Sequence, residues 1–189
     1  EIKVWRVKTG TLLVRYPSTN QSPIKSLCFG MTGTHLYSGN DNGEVRLYGL
    51  RSGNMLRDYV GHQGEVTCVC LVRRIDTAAS SSSSSSSSTT TTDDDPSNGE
   101  RLVTGSADGS IKVWDTRTSA LLKTITTLQL RPPVDESAAA AGGASDAGAV
   151  YGIKDVRAFR TRPNKFVVCN GTSCVYLLDT ESSSSSSSS

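Results

Sequence analysis

The chain contains few groups that could carry out acid–base or nucleophilic chemistry. His62 is one of its two histidines, and with the carboxylate of Asp108 it could form a general-base pair. No serine, threonine or cysteine lies in a recognisable nucleophile motif. The sequence therefore predicts no catalytic residue and no enzyme activity.

The five cysteines do not form a pattern that is typical of metal binding or of disulfide bonding. Their number is odd, no CxxC pair is present, and only two histidines accompany them. Cys68 and Cys70 lie at alternate positions of an apolar run, so we interpret them as core residues. We expect buried free thiols, no metal and no cofactor. The cysteines are Cys28, Cys68, Cys70, Cys169 and Cys174.

Composition and charge argue against several kinds of partner. The 189 residues carry a net charge of +2 with acidic and basic residues mixed, which provides no strong field for binding nucleic acid or an anionic membrane. No apolar run reaches the roughly 18 residues of a membrane span, and no signal peptide opens the chain. Glu1 already lies beside a predicted strand, so we expect the natural N-terminus to lie upstream. The one basic cluster, interpreted as a solvated rim, is Lys154, Arg157, Arg160, Arg162 and Lys165.

The elements that must position these residues repeat along the chain. Low-complexity stretches at 77–98, 131–149 and 182–189 cannot bury enough apolar surface to fold, and we predict that they are disordered. Without them, four similar segments recur about every 43 to 45 residues, the period of a four-stranded β-propeller blade. The segments are EIKVWRVKTG (1–10), EVRLYGLRSG (44–53), SIKVWDTRTS (110–119) and SCVYLLDTES (173–182).

Alternating apolar residues and turn residues predict the strands of each copy. Asn42-Gly43 and Asp108-Gly109 are typical of tight turns between two strands. The predicted strands are 2–5 and 11–16 in the first copy; 24–29, 35–38, 44–48 and 55–59 in the second; 65–72, 101–104, 110–114 and 120–125 in the third; and 153–159, 165–168 and 174–178 in the fourth.

Gly61-His62 and Trp114-Asp115 make the chain similar to the WD40 repeat family. The resemblance implies an all-β fold, a partial propeller with about three to four antiparallel blades of a seven-bladed ring. It also implies a buried structural tetrad of His62, Thr104, Asp108 and Trp114. Asp108 would accept from its own turn and from His62, and the Thr104 hydroxyl would bridge His62 to the indole. An indole as the third partner argues against the general-base reading.

The predicted propeller fragment covers residues 1–181, followed by the poly-Ser tail. Such a fragment is too short to close a ring, so we expect it to be part of a larger propeller and marginally stable or aggregation-prone alone. The predicted blades are 1–16 (partial), 17–60, 61–126 and 127–181.

Two stretches, 47–62 and 162–181, resemble the propeller of the Smu (suppressor of mec and unc) splicing factors. That resemblance implies a nuclear scaffold that works with the RED protein and other spliceosomal proteins, with little direct contact to nucleic acid and no small-molecule substrate. An alternative is a substrate receptor of a cullin-type ubiquitin ligase, because Trp114–Arg117 matches a WDxR box. A Gβ-like signalling scaffold has no specific feature in its favour. The candidate partner-binding positions are Asn40, Asp41, Gln63, Glu65, Ser106 and Ala107.

Overall fold

The computed structural model describes six ranges of the chain, and every regular element in them is a β-strand. The predicted disordered stretches lie outside these ranges. The ranges are 1–17, 22–73, 100–126, 151–159, 165–170 and 175–179. The strands are β1 (Ile2–Arg6), β2 (Thr11–Tyr16), β3 (Ile24–Phe29), β4 (His35–Asn40), β5 (Glu44–Gly49), β6 (Met55–Val60), β7 (Val66–Arg73), β8 (Glu100–Ser106), β9 (Ser110–Asp115), β10 (Leu121–Thr126), β11 (Ile153–Ala158), β12 (Lys165–Asn170) and β13 (Val175–Asp179).

The strands form four successive antiparallel sheets. The first sheet is β1-β2, the second β3-β4-β5-β6, the third β7-β8-β9-β10 and the fourth β11-β12-β13. Within the described residues each strand pairs with its neighbours in sequence, so each sheet is a meander of the kind that forms a propeller blade. The predicted all-β fold with four-stranded antiparallel blades is confirmed.

The observed strands agree with the predicted ones to within two residues at each end. The largest differences are at β4, β8 and β12, each of which runs two residues further than predicted. In β4 and β8 the extra residues pair with the preceding strand, Asn40 with Ile24 and Ser106 with Val66. Asn40 and Ser106 are therefore strand residues and not turn residues.

The sheets pack face to face, and the core consists of three apolar clusters, one at each junction. Because side chains alternate along a strand, each sheet presents one apolar set to the sheet before it and another to the sheet after it. The cluster between the second and third sheets contains Tyr37, Val45, Leu47, Tyr59, Val66, Val69, Leu71, Leu102 and Trp114. The cluster between the third and fourth contains Cys68, Cys70, Val72, Val103, Ile111, Val113, Ile125, Ile153, Val156, Phe166 and Val168. The cluster between the first and second contains Ile2, Tyr16, Leu36 and Tyr48.

Tyrosines of the outer strands add a polar bond to two of these junctions. The Tyr16 hydroxyl of β2 donates to the carbonyl oxygen of Gly49 in the second sheet over 2.7 Å. The Tyr59 hydroxyl of β6 donates to the carbonyl oxygen of Thr116, just after β9, over 3.0 Å. Each buried phenol thus satisfies its hydroxyl on the following sheet while its ring fills the apolar cluster.

Two glycines allow successive sheets to approach closely. A Cβ atom on Gly39 of β4 would lie 2.5 Å from Cγ1 of Val66, at the start of the third sheet. A Cβ atom on Gly105 of β8 would lie 2.5 Å from Cγ2 of Ile153, at the start of the fourth sheet. The two glycines hold corresponding positions in their sheets, so the same close contact recurs at both junctions.

We expect Gly105→Ala to destabilise the chain by about 1–3 kcal/mol, because the added methyl group overpacks the contact with Ile153. Urea unfolding followed by circular dichroism measures the change. Gly33→Asn is the control, since a Cβ there meets nothing within 4 Å and Asn tolerates the positive φ of 72°. Equal losses in both variants would contradict the close packing of the two sheets.

Candidate functional site

A network of buried polar side chains joins the loop that enters the third sheet to the middle of that sheet. His62 lies in the loop before β7, Thr104 in β8, Asp108 in the turn between β8 and β9, and Trp114 in β9. Thr104, His62 and Trp114 are buried, and Asp108 is half-buried. The structure thus brings together the four residues of the tetrad that the family resemblance implies.

The hydrogen bonds define the protonation of the His62 ring. Trp114 Nε1 donates to Thr104 Oγ1 over 2.9 Å, and the single hydroxyl proton of Thr104 is donated to His62 Nε2 at 2.7 Å in preference to the more distant carbonyl oxygen of Lys112 at 3.4 Å. Since Nε2 accepts, Nδ1 carries the proton of the neutral imidazole and faces Ser110 Oγ at 3.0 Å and Asp108 Oδ2 at 3.2 Å. His62 therefore uses both ring nitrogens inside the network.

Ser110 is a fifth member of the network that the sequence analysis missed. Its hydroxyl donates to Asp108 Oδ1 over 2.6 Å, and its backbone N–H donates to the same oxygen over 2.8 Å. The backbone N–H of Gln63 donates to Asp108 Oδ2 over 2.8 Å. The signal in the sequence is a serine two residues after a turn aspartate, because the backbone N–H at that position closes an Asx turn.

Both titratable groups of the network have shifted pKa values. Burial lowers the pKa of His62, and this effect outweighs the nearby carboxylate of Asp108, which would raise it. Burial acts to raise the pKa of Asp108, but hydrogen bonds from the Ser110 side chain and from the backbone of Gln63 and Ser110 lower it overall. At neutral pH the pair is a neutral imidazole and a carboxylate.

This arrangement holds a loop in place and leaves no ring nitrogen for a substrate. A general base must reach the proton that it removes, and both nitrogens of His62 already have protein partners. The buried thiols are also poor nucleophiles, because the thiolate is the reactive form. Burial raises the pKa of Cys68 to about 11 and raises that of Cys70 as well. Both lie in the cluster between the third and fourth sheets, as expected of core residues.

The second sheet fixes the equivalent turn without a histidine. Asn40 Oδ1 accepts the backbone N–H of Glu44 over 2.8 Å, and the Glu44 carboxylate accepts from Arg46 over 2.7 Å. Ser38 and Tyr48 occupy the positions that Thr104 and Trp114 hold in the third sheet. The turn between β4 and β5 is therefore held by an amide and an ion pair, whereas the turn between β8 and β9 is held by the network around the His62 imidazole.

The loops between β4 and β5, β6 and β7, and β8 and β9 meet at one end of the sheets. A Cβ atom on Gly43 would lie 2.4 Å from the carbonyl oxygen of His62, and one on Gly152 would lie 3.0 Å from that of Ala107. Consecutive sheets thus bring their loops into contact. At this end Gln63 and Ala107 are exposed and Asp41 and Glu65 are half-buried; we call these four residues the loop face.

Two of the six predicted partner-binding positions need correction. Asn40 is 6% exposed and Ser106 is fully buried. Ser106 Oγ donates to the carbonyl oxygen of Gly64 over 3.1 Å and accepts the backbone N–H of Asp108 over 3.1 Å. The predicted strands end at 38 and 104, before both residues, but the observed strands extend to them and turn their side chains inward. Neither can meet a partner directly.

The predicted basic cluster is only partly described. Arg157 of β11 is highly exposed, and its Nε lies 2.8 Å from Asp155 Oδ2. One positive charge of the cluster is therefore already paired. Lys154 and Lys165 lie on β11 and β12, and Arg160 and Arg162 fall outside the described residues.

Among the described ranges no group of three or more metal-ligating side chains is present. The described part also contains no helix with the length and apolar character of a membrane span.

Two family models match the chain in the part where the network and the loop face lie. The model of the anaphase-promoting complex subunit 4 WD40 domain matches residues 1–73, and the model of the WD domain, G-beta repeat, matches residues 53–115. Residues 1–115 are thus similar to WD40 repeat domains. WD40 domains generally serve as non-catalytic scaffolds that bind other proteins, and the four-stranded antiparallel sheets described above have the form of WD40 blades.

The similar curated proteins are diverse. Autophagy-related protein 16 of Arabidopsis thaliana is 27% identical over 66% of this chain and 19% of its own length. Nuclear distribution protein PAC1 of Coccidioides posadasii is 28% identical over 66% of this chain and 25% of its own length. Pre-mRNA-splicing factor PRP46 of Saccharomyces cerevisiae is 28% identical over 60% of this chain and 22% of its own length. The chain thus spans a quarter or less of the length of the curated relatives it matches.

We expect Thr104→Val to lower the free energy of unfolding by about 1–3 kcal/mol, because the indole N–H of Trp114 and Nε2 of His62 lose their shared partner while the side-chain volume is kept. Thr104→Ser keeps the hydroxyl and is the matched control, with a smaller loss. Chemical denaturation of the two variants measures the difference. A valine variant as stable as the serine variant would contradict a stabilising role for the network.

The lowered pKa of His62 predicts that acidification destabilises the fold. An unfolded histidine takes up a proton near its usual pKa of about 6.5, whereas folded His62 does so only at lower pH. The contribution of neutral His62 to the free energy of unfolding is complete above the usual pKa of about 6.5. It is lost as the pH falls below that value, by at most about 1.4 kcal/mol per pH unit. Denaturation between pH 7.5 and 5.5 measures the slope, and His62→Gln should flatten it. An unchanged slope in the variant would show that His62 does not titrate in this way.

Proposed function

We propose that the chain is a non-catalytic scaffold in pre-mRNA splicing that binds proteins through its loop face. The observation that carries the binding surface is the contact between consecutive loops, which places exposed Gln63 and Ala107 beside half-buried Asp41 and Glu65 at one end of neighbouring blades. Residues on a rigid scaffold that project from adjoining loops are well suited to grip an extended segment of another protein.

The buried network supports this role by holding the loop before β7. Gln63 directly follows His62, and its backbone N–H is bonded to the Asp108 carboxylate. The position of Glu65 is also set by backbone bonding, because its carbonyl oxygen accepts the N–H of Ala107 over 2.9 Å. A pre-positioned loop loses less conformational freedom when a partner binds, which favours affinity.

The assignment to splicing is supported by two similarities. The stretches 47–62 and 162–181 resemble the Smu splicing factors, and one of the curated relatives is a pre-mRNA-splicing factor. The proposal therefore includes nuclear localisation and a RED-like protein partner, with contact to proteins rather than directly to RNA. The net charge of +2 is consistent with a scaffold of this kind.

A second candidate is a substrate receptor of a cullin-type ubiquitin ligase, in which Arg117 would contact the ligase adaptor. Asp115 Oδ1 accepts the backbone N–H groups of Arg117 and Thr118 over 2.9 and 2.8 Å, so the turn that carries the arginine is well defined. Arg117 is exposed on the turn between β9 and β10, at the end of the sheet opposite the loop face. The two candidates thus use opposite ends of the same blade.

Affinity purification from nuclear extract with quantitative mass spectrometry distinguishes the candidates. We expect the tagged chain to enrich RED and other spliceosomal proteins, and Ala107→Arg to reduce that enrichment at least several-fold because it places a large charged side chain on the loop face. Val7→Arg adds the same group to an exposed turn at the opposite end and should leave the enrichment unchanged. Enrichment of a cullin adaptor that is lost in Arg117→Ala would instead favour the ligase. Absence of spliceosomal proteins from the wild-type sample would contradict the splicing proposal.

A further inference from the structure

Two neighbouring sheets bring arginine residues together at the end of the sheets opposite the loop face. Arg117 is exposed on the turn between β9 and β10, directly after buried Thr116. Arg57 of β6, in the second sheet, reaches the same turn of the third sheet, where its Nη1 donates to the carbonyl oxygen of Thr116 over 3.0 Å. Two arginines from different sheets therefore lie at one turn.

A hydrogen bond and strand pairing connect this turn to two further arginines. Thr116 Oγ1 donates to the carbonyl oxygen of Glu100, at the start of β8, over 3.1 Å. Glu100 pairs with Arg73 at the end of β7, and Arg101 follows it in β8. Arg73 is exposed and Arg101 is half-buried. The four residues, which we call the arginine cluster, are Arg57, Arg73, Arg101 and Arg117.

The arginine cluster carries more positive charge than the carboxylates around it neutralise. Among the described residues of this turn and of the strand ends beside it, the carboxylates are Glu100 and Asp115. Glu100 is 8% exposed, and Asp115 Oδ1 accepts the backbone N–H groups of Arg117 and Thr118. Asp58 follows Arg57 in β6, so its side chain lies on the opposite face of that strand. Four guanidinium groups, which are always charged in proteins, and two carboxylates leave an excess of two positive charges, whichever pairs they form.

The compact cluster suits a single phosphate group better than a long polyanion. Proteins that bind nucleic acid usually carry a strongly basic patch or stripe, whereas this chain has a net charge of +2 and places Asp41 and Glu65 on the loop face. A phosphorylated side chain carries about −1.5 to −2 charges at neutral pH, which matches the excess of the cluster. The planar guanidinium group also binds phosphate oxygens through two parallel hydrogen bonds.

We propose that the arginine cluster binds a phosphorylated serine or threonine in a segment of another protein. The cluster takes residues from the second and third sheets, so the complete site forms only when these two sheets stack. It lies at the end opposite the loop face and does not depend on the role proposed for that face. The two ends of the sheets would thus bind segments of different chemistry.

An NMR titration of the isotope-labelled 189-residue chain tests the proposal with three blocked tripeptides. Acetyl-Gly-phosphoserine-Gly-amide should shift the backbone amide signals of Arg117 and Thr118, and the Nε–H signals of the cluster, in a saturable way. Acetyl-Gly-Ser-Gly-amide should shift none of them. Acetyl-Gly-Glu-Gly-amide should bind more weakly than the phosphopeptide, because a carboxylate carries a single charge.

Substitution of the two exposed arginines should weaken binding of the phosphopeptide. We expect Arg73→Gln and Arg117→Gln each to raise its Kd by about three- to fivefold, since each removes one exposed ion pair with the phosphate. The double variant has no excess charge and should lose at least about tenfold. Arg15→Gln is the matched control, because Arg15 is an exposed arginine of the first sheet, where it pairs with Glu1 over 2.6 Å. Its Kd should stay unchanged, and circular dichroism should show that all the variants fold.

Several outcomes would overturn the proposal. They are the lack of a saturable shift with the phosphopeptide, equal affinity for the glutamate peptide, and an equal loss of affinity in Arg15→Gln. Binding of a short oligouridine RNA, or of vesicles of phosphatidylcholine and phosphatidylserine, is measured with the same variants. If either binds more tightly than the phosphopeptide and is lost in the double variant, the cluster serves RNA or a membrane, and the proposal is wrong.

Discussion

The packing of apolar sheet faces against one another is the interaction on which this structure depends. Each sheet is a narrow meander with an apolar set on both sides, and such a sheet is not stable in water by its own hydrogen bonds. Burial of a large apolar side chain contributes about 1.5–3 kcal/mol, so residues such as Leu47, Val113 and Phe166 make each junction strongly favourable. The glycines at the junctions let the sheets approach until these side chains interdigitate.

The buried polar network has a different role from the apolar packing. It occurs complete in the third sheet, whereas the second sheet has Ser38 and Tyr48 in the positions of Thr104 and Trp114 and still stacks on its neighbours. Stacking therefore does not require the network. The network instead fixes one loop relative to the sheet, through the bonds of Asp108 to the backbone of Gln63 and Ser110. In this way a structural element inside a blade determines the shape of the surface that a partner would meet.

The sequence predicts the strands well because their determinants are local, and it predicts the surface less well because that depends on register. Alternation and turn glycines identify β9 and its turn from a dozen residues. The burial of Asn40 and Ser106 depends on how far β4 and β8 continue to pair with the preceding strand, which the turn pattern alone does not show. Ser110 joins the network because two hydrogen bonds converge on one carboxylate oxygen, a geometric fact with only a weak trace in the sequence.

The central claim is that the repeated segments form adjacent blades in close contact, and an NMR measurement tests it most directly. The account predicts a strong nuclear Overhauser effect between the α protons of Gly105 and the γ2 methyl group of Ile153, which belong to different sheets. A second effect should join Gly39 to the methyl groups of Val66. Well-dispersed spectra in which both effects are missing, while effects within each sheet are present, would show that the sheets form but do not stack, and would contradict the account.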